Sequence, residues 1–324
     1  MSQVDVLVIG AGPAGAAAAS FLHDRGHRVL VVEKSRFPRF VIGESLLPRS
    51  MDLLQAAGLL EAAAARGYLR KHGAAFLRDG ALSEFDFGQQ FTPGWAWTWQ
   101  VPRDDFDQAL IQAVSDKGVE VLFEHAVVEV EQGPPARVTY QTPAGEQVGV
   151  TARFVVDASG YGRVLPKLMA LDRPSTLPMR HSLFAWYEGD VREEGELEGR
   201  TWVCMHRGGA WIWVIPFSNG RTSVGVVASP ELLARYPEDP RERLDAILAE
   251  EPNVAVRLAS AQRVFEPVLI AGYSTAVSTL HGPGWVLVGN SGEFLDPVFS
   301  AGVTVALESA VLAHRAPARA RSTG

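Results

Sequence analysis

The sequence predicts an α/β fold: a lobe of parallel strands and helices into which an antiparallel β-sheet lobe is inserted. Three observations carry that expectation. An apolar run over residues 4–9 leads straight into Gly10-Ala-Gly-Pro-Ala-Gly15. An alanine-rich stretch follows, and a second apolar run over residues 28–32 ends on Glu33. Residues 182–228 are instead dense in β-branched and aromatic side chains, the composition of antiparallel strands.

The first unit reads as strand, glycine turn, helix from Ala14 to about Arg25, a stop at Gly26, then strand and acid. That order is the context in which a dinucleotide binds. Gly10 permits the tight turn, Gly12 lets a pyrophosphate approach the backbone, and Gly15 lets helix and sheet pack closely. Pro13 and Ala14 open the helix, whose unpaired N–H groups favour phosphate. Glu33 is placed to accept ribose hydroxyls and disfavours a 2′-phosphate, and Lys34 follows it.

The pattern continues with an amphipathic helix over residues 51–65, broken at Gly58. Residues 89–102 are aromatic and proline-bounded, which suggests a strand outside the nucleotide lobe. Residues 106–117 read as a helix ended by Gly118. Four alternating strands follow at 119–123, 126–131, 137–142 and 148–152, and a buried one at 154–157 runs into Ala158-Ser-Gly160. Residues 230–258 form a charged helical excursion, 285–289 a buried strand and 302–314 the last helix. The lobes therefore divide as 1–82, 103–165 and 268–315 for the nucleotide lobe and 83–102 with 166–267 for the inserted substrate lobe. Residues 316–324 are basic and small, as in a disordered tail.

Bulk properties narrow the function. The 324 residues are 47% hydrophobic, enough for two lobes. A net charge of −7 and a pI near 5.7 give no case for nucleic acid or an anionic membrane. One cysteine, Cys204, excludes internal disulfides and multi-cysteine metal sites, so no metal is expected. No segment has the composition of a signal peptide or a membrane span, and the chain reads as cytoplasmic.

Further motifs carry a resemblance. The Gly10 motif, Val156-Asp157-Ala158-Ser159-Gly160 and Gly289-Asn-Ser-Gly-Glu-Phe-Leu-Asp-Pro297 resemble the FAD contacts of the p-hydroxybenzoate-hydroxylase-like superfamily. Within it, four features resemble the flavin-dependent halogenases: residues 37–48, Lys71 in Arg70-Lys71-His72-Gly73, Trp211-Ile-Trp-Val-Ile-Pro216, and Asp296-Pro-Val-Phe-Ser-Ala-Gly302. The resemblance implies FAD used as FADH2, with O2 and chloride or bromide yielding hypohalous acid. By the same resemblance Lys71 would hold that oxidant beside an electron-rich ring, while Trp211 and Trp213 would wall the flavin from the organic substrate. It also implies a halide site at Ser300, Ala301 and Gly302. FAD contacts are implied at Glu44, Ser45, Arg103, Asp157, Gly160, Gly289, Asn290, Pro297 and Gly302.

Read without the resemblance, several of these residues have plainer roles. Lys71 is a solvated lysine in a basic cluster, Trp211 and Trp213 a core pair, and Ser300 a helix N-cap. Arg103 forms a surface ion pair with Asp104, Asp105 or Asp107. Trp97-Thr-Trp-Gln-Val-Pro102 nearly repeats the tryptophan motif.

Three departures from the family pattern matter, one being that this sequence ends soon after Gly302 whereas family members continue into a C-terminal region that covers the substrate side. Phe299 stands where tryptophan-type members carry glutamate, which fits a phenol or pyrrole substrate, free or tethered to an acyl or peptidyl carrier protein. Asn290 stands where aspartate is usual. A single dinucleotide fingerprint implies that a separate NAD(P)H-dependent flavin reductase supplies reduced flavin. An aromatic hydroxylase or a geranylgeranyl-reductase-like enzyme on the same scaffold is the alternative, and a catalytically silent flavin-binding protein is a third reading.

Overall fold

The computed structural model describes residues 2–294 and 296–313; the tail expected at 316–324 lies outside them, as does His314. Strand β1 (Ser2–Ile9), helix α1 (Pro13–His23) and strand β2 (Val29–Glu33) form the opening unit. α1 begins at Pro13, where a missing N–H costs the helix nothing, and residues 13–22 are all buried. The alanines allow this, because α1 is packed between the sheet and the last helix. Helices α2 (Arg49–Ala56) and α3 (Leu60–Ala64) are separated at Gly58, whose φ is +65°.

Strands β3 (Leu69–Lys71), β4 (Gly73–Arg78), β5 (Ala81–Asp86) and β6 (Thr98–Gln100) precede helix α4 (Arg103–Asp116). Strands β7 (Glu120–Phe123), β8 (Ala126–Glu131), β9 (Ala136–Gln141) and β10 (Gln147–Asp157) follow, then α5 (Val164–Leu168) and β11 (Asp172–Arg173). The aromatic region folds into β12 (His181–Glu188), β13 (Thr201–Met205), β14 (Trp211–Pro216) and β15 (Arg221–Ala228). The charged excursion is three helices, α6 (Pro230–Leu233), α7 (Pro240–Ala249) and α8 (Pro252–Leu258). Short strands β16 (Gln262–Arg263), β17 (Val268–Ala271), β18 (Ala276–Val277), β19 (His281–Gly282) and β20 (Trp285–Leu287) lead to α9 (Gly302–Ala313).

In the first sheet β20, β10, β1, β2 and β7 lie side by side and parallel, and β9 and β8 fold back antiparallel from β10. The glycine turn therefore leaves the carboxyl end of a central strand, where ligands of such sheets bind. The second sheet runs β16-β12-β15-β14-β13-β4-β5, with β17 also on β12. Helices α6, α7 and α8 cover one of its faces with an aliphatic core. The other face is aromatic, with Phe184, Trp186, Trp213 and Phe217, and looks toward the first lobe.

Three segments depart from the expected division of the lobes. β4 and β5 already belong to the second sheet, and β17 pairs with β12 rather than returning to the first lobe. Residues 98–100, expected in the second lobe, pair with β3, while Trp97 and Trp99 pack into the first core, where Trp95, Trp97 and Trp99 meet edge-on. Aromatic composition reports burial and not which sheet a strand joins. Among the described residues no helix is long and apolar enough to cross a membrane.

Gly15 holds the opening unit together. A Cβ there would sit 2.0 Å from the Gly10 carbonyl oxygen and 3.4 Å from the Ala158 Cβ. Gly15→Ala is therefore expected to destabilise the protein by about 2 kcal/mol or more through overpacking, read as a lowered midpoint in thermal or urea unfolding. An unchanged midpoint would contradict this close approach.

Candidate active site

A cleft of about 390 Å³ runs between the lobes. At one end Gly10, Gly12, Pro13 and Ala14 line it, and Glu33 and Lys34 stand beside them. Glu33 is fixed by two backbone amides, Ala11 N–H to Oε2 at 2.9 Å and Ser35 N–H to Oε1 at 2.8 Å. Each carboxylate oxygen keeps lone pairs for a further donor. A Cβ on Gly12 would reach 3.2 Å from Arg39 Nη2, so the glycine leaves backbone and guanidinium facing one gap. Bare helix amides, two cations (Lys34 and Arg39) and a hydroxyl-seeking acid fit the pyrophosphate and ribose of a dinucleotide.

Arg103 is placed by α4. Its guanidinium is a fork on Asp107, with Nε–Oδ1 at 2.7 Å and Nη2–Oδ2 at 3.0 Å, and Nη1 donates to the carbonyls of Ile42 and Gly43. The pair is buried, unlike the surface ion pair considered from sequence, and Arg103 still lines the cleft. Arg39 joins the same Asp107 at 3.1 Å. Arg39 was not singled out from sequence, because its partner lies 68 positions away.

The other end of the cleft is walled by the second sheet. Trp211, Trp213 and Ile215 share one face of β14 and all line the cleft, as period-two alternation requires. Trp213 lies across Gly225 of β15, where a Cβ would come within 2.4 Å of the ring, and its Nε1 donates to Ser223 Oγ at 3.1 Å. Glu44, also on the cleft, accepts from Trp186 Nε1 at 2.8 Å. Burial pushes its carboxyl up to about 7, against the pull of hydrogen bonds from Ser223 and Trp186.

Lys71 is not a surface residue. It is 2% exposed, on β3, paired with Thr98 of β6. Its Nζ donates to Ser45 Oγ at 2.7 Å and to the Leu46 carbonyl at 2.9 Å, and stands 5.4 Å from the centre of the Phe87 ring. Burial lowers its pKa to about 7, so near neutrality a large share of the amine is uncharged and nucleophilic. Lys71 does not itself line the cleft; Ser45 and Thr201 do, and Ser45 stands between the amine and the cleft.

Other expected residues divide. Gly160, Gly289, Asn290, Pro297, Ser300 and Gly302 line the cleft. Asp157 does not: it is fully buried and accepts the amides of Ser159 at 2.9 Å and Leu165 at 2.7 Å, so it braces the turn after β10. Gly15 lies beneath the turn, and Ala301 is off the lining. Ser300 is not the N-cap of α9. It has φ +58° and closes the preceding turn by its N–H to Pro297 O, while Ala301 O accepts the first helical bond from Val305. Gly302 and Val303, whose amides open α9, face the cleft. Among the described residues no cluster of His, Cys, Asp and Glu could hold a metal ion.

Comparison with known proteins agrees with this geometry. A family model described as an FAD binding domain matches residues 3–251. A flavoprotein/dehydrogenase from Cytophaga hutchinsonii superposes with a TM-score of 0.95 at 45% identity, over 99% of this chain and 79% of its own. The myxobacterial chondrochloren halogenase CndH, an FAD-dependent halogenase, superposes at 0.92 with 33% identity, over 100% and 76%. The 1H-pyrrole-2-carbonyl-(peptidyl-carrier protein) brominase of Pseudoalteromonas luteoviolacea is 30% identical over 95% of this chain and 76% of its own length. The chain spans 60% to 76% of the first three curated relatives.

The buried amine makes a signed prediction for stability. Lys71 titrates near 7 in the folded chain and near 10.5 unfolded, so the folded state binds fewer protons between those values. The resulting penalty is absent above pH 10.5, grows as pH falls and is complete below about 7. Lys71→Met removes it. The melting temperature of the variant relative to the parent should be higher at pH 6 than at pH 10, by an amount on the order of a few kcal/mol in stability. A difference independent of pH would mean that Lys71 titrates normally.

Proposed function

The chain belongs to the FAD-binding family and, within it, to the flavin-dependent halogenases, and from that premise we propose that Lys71 carries halogenation of a phenol or pyrrole. The single observation that carries this reading is a buried amine one hydroxyl away from the cofactor cleft.

In this reading the Gly10–Gly15 turn, Glu33, Lys34, Arg39 and Arg103 hold FAD, and the Trp211–Trp213 end of the cleft receives its redox-active ring. Bound in reduced form, FAD supplies, with O2, the two-electron oxidant that turns chloride or bromide into hypohalous acid. The amides of Gly302 and Val303, at the start of α9, hold the halide. Trp211 and Trp213 keep the organic substrate off the flavin, so oxygen transfer to the ring is blocked. The Lys71 amine takes the halogen as a haloamine while water leaves, or holds the acid by a hydrogen bond. The ring carbon then takes the halogen and a ring proton leaves.

Phe299 supports a substrate that activates itself. It is 62% exposed and its ring lies 6.1 Å from that of Phe76, so an aromatic side chain and not a carboxylate occupies this position. Phenols and pyrroles need none. The brominase relative acts on a pyrrole carried by a peptidyl carrier protein, which makes a carrier-tethered ring a candidate. The reduced flavin comes from a separate NAD(P)H-dependent reductase.

The test is mass spectrometry of turnover with a reductase, NADH, FAD, O2 and a phenol and pyrrole panel, with and without bromide. A bromine isotope doublet that needs both protein and bromide is expected. Lys71→Ala should reduce it by about 100-fold or more while reduced-flavin oxidation continues at the parent rate. Halogenation by Lys71→Ala at the parent rate would remove Lys71 from the chemistry; an oxygenated or reduced product indifferent to halide would make the chain a hydroxylase or a prenyl reductase.

A further inference from the structure

The wall between cleft and lysine is polar at one place. Ser45 Oγ accepts from Lys71 Nζ at 2.7 Å and lies 2.8 Å from Thr201 Oγ1. Gln100 Nε2 donates to the same Thr201 Oγ1 at 2.9 Å and to the Gly199 carbonyl at 3.0 Å. Ser45, Thr201 and Gln100 are all buried, on three different segments, and Ser45 and Thr201 are both lining residues of the cleft. We propose that the Ser45–Thr201 hydroxyl pair is a proton link across the wall, joining the Lys71 amine to the cofactor cleft. The proposal rests on the halogenase reading of Lys71.

The hydrogen-bond directions follow from donor and acceptor counts. The Gln100 amide donates to Thr201 and so takes one lone pair of its hydroxyl. When Lys71 is an ammonium, it donates to Ser45, Ser45 donates to the remaining lone pair of Thr201, and Thr201 points its proton into the cleft. When Lys71 is a neutral amine, all can reverse: Thr201 donates to Ser45, and Ser45 donates to the nitrogen lone pair. Both states keep the Lys71–Ser45–Thr201 chain hydrogen-bonded, and they differ by one proton moved from nitrogen to the cleft. The ammonium thus becomes a nucleophile without water entering the wall. In the step that follows, the N–halogen bond forms, the O–halogen bond of hypohalous acid breaks, and one amine proton leaves with the hydroxide as water. Transfer to the ring returns the bonding pair to nitrogen, which takes back a proton as the ring loses one.

The surrounding charges do not substitute for the link. Arg70 and His72 flank Lys71 in the chain, Glu44 precedes Ser45, and Arg103 of α4 acts on Glu44. Arg200 precedes Thr201 and is engaged by Glu84 and Asp86 of β5. Burial alone accounts for the lowered pKa of Lys71. Ser45 and Thr201 are positioning residues: they act through Lys71.

The test compares parent, Thr201→Val, Ser45→Ala and the conservative Thr201→Ser. In flavin-free protein, N-chlorination of Lys71 by added hypochlorous acid is followed by peptide mass spectrometry across pH 5–9. The reagent's own titration is common to all four proteins. Removing either hydroxyl takes away stabilisation of the ammonium, so the midpoint should move down by about one pH unit in Thr201→Val and Ser45→Ala and return in Thr201→Ser. With reduced FAD, halide and substrate, Thr201→Val should lower kcat about 10-fold or more at unchanged KM, with Thr201→Ser restoring it. If one variant fails to fold, the other carries the comparison. Parent-like midpoints in both variants would overturn the link. Shifted midpoints in a protein that never halogenates would support the link and remove the halogenase reading.

Discussion

Everything in this site follows from holding one amine out of water. Desolvation brings Lys71 down to about 7, and two hydrogen bonds, to Ser45 and the Leu46 carbonyl, keep it in place. A lysine on the surface would be almost wholly protonated at neutral pH and useless as a nucleophile. The structure obtains the shift by burying Lys71 on β3, paired with β6, between the Leu46 carbonyl and the Phe87 ring. The charge of the ammonium is a cost to the fold, and the same cost is what makes the residue reactive.

The second constraint is separation. A cofactor that activates oxygen and a ring that must receive only halogen cannot share a chamber. In the proposed reading the aromatic face of the second sheet would supply the partition: Trp211 and Trp213 line the cleft, and Gly225 leaves room for the Trp213 ring. Ser45 and Thr201 make the partition polar at the point nearest Lys71. In that reading the wall would hold a large substrate away from the cofactor, while Lys71, Ser45 and Thr201 join its two sides by hydrogen bonds.

Much of this was legible in the sequence because its causes are local. Glycines at 10, 12 and 15 followed by buried alanines can form little else than a turn beneath a close-packed helix. Trp211, Trp213 and Ile215 share a face because strands alternate. Lys71 was legible only through its neighbours in a family motif, since Arg70-Lys71-His72 by itself reads as solvated. Long-range pairings were not legible. Arg39 gains its role from Asp107, and Thr201 from Ser45, 156 positions earlier. Asp157 belongs to a recognisable cofactor-strand motif, yet it is off the cleft lining, and its carboxylate braces the turn by accepting the amides of Ser159 and Leu165. Ser300 has the residue type of an N-cap but closes the turn before α9, because Ala301 intervenes.

The central claim is that the lysine, and not the flavin, sets the acid limit of halogen transfer. It is tested by the fraction of oxidised flavin equivalents that end as brominated product, measured from pH 5 to 9 beside the rate of flavin oxidation. The account predicts that this fraction falls below about pH 7, as Lys71 becomes charged, while flavin oxidation does not fall with it. A fraction that stays constant across that range, or that tracks the flavin rate, would contradict it.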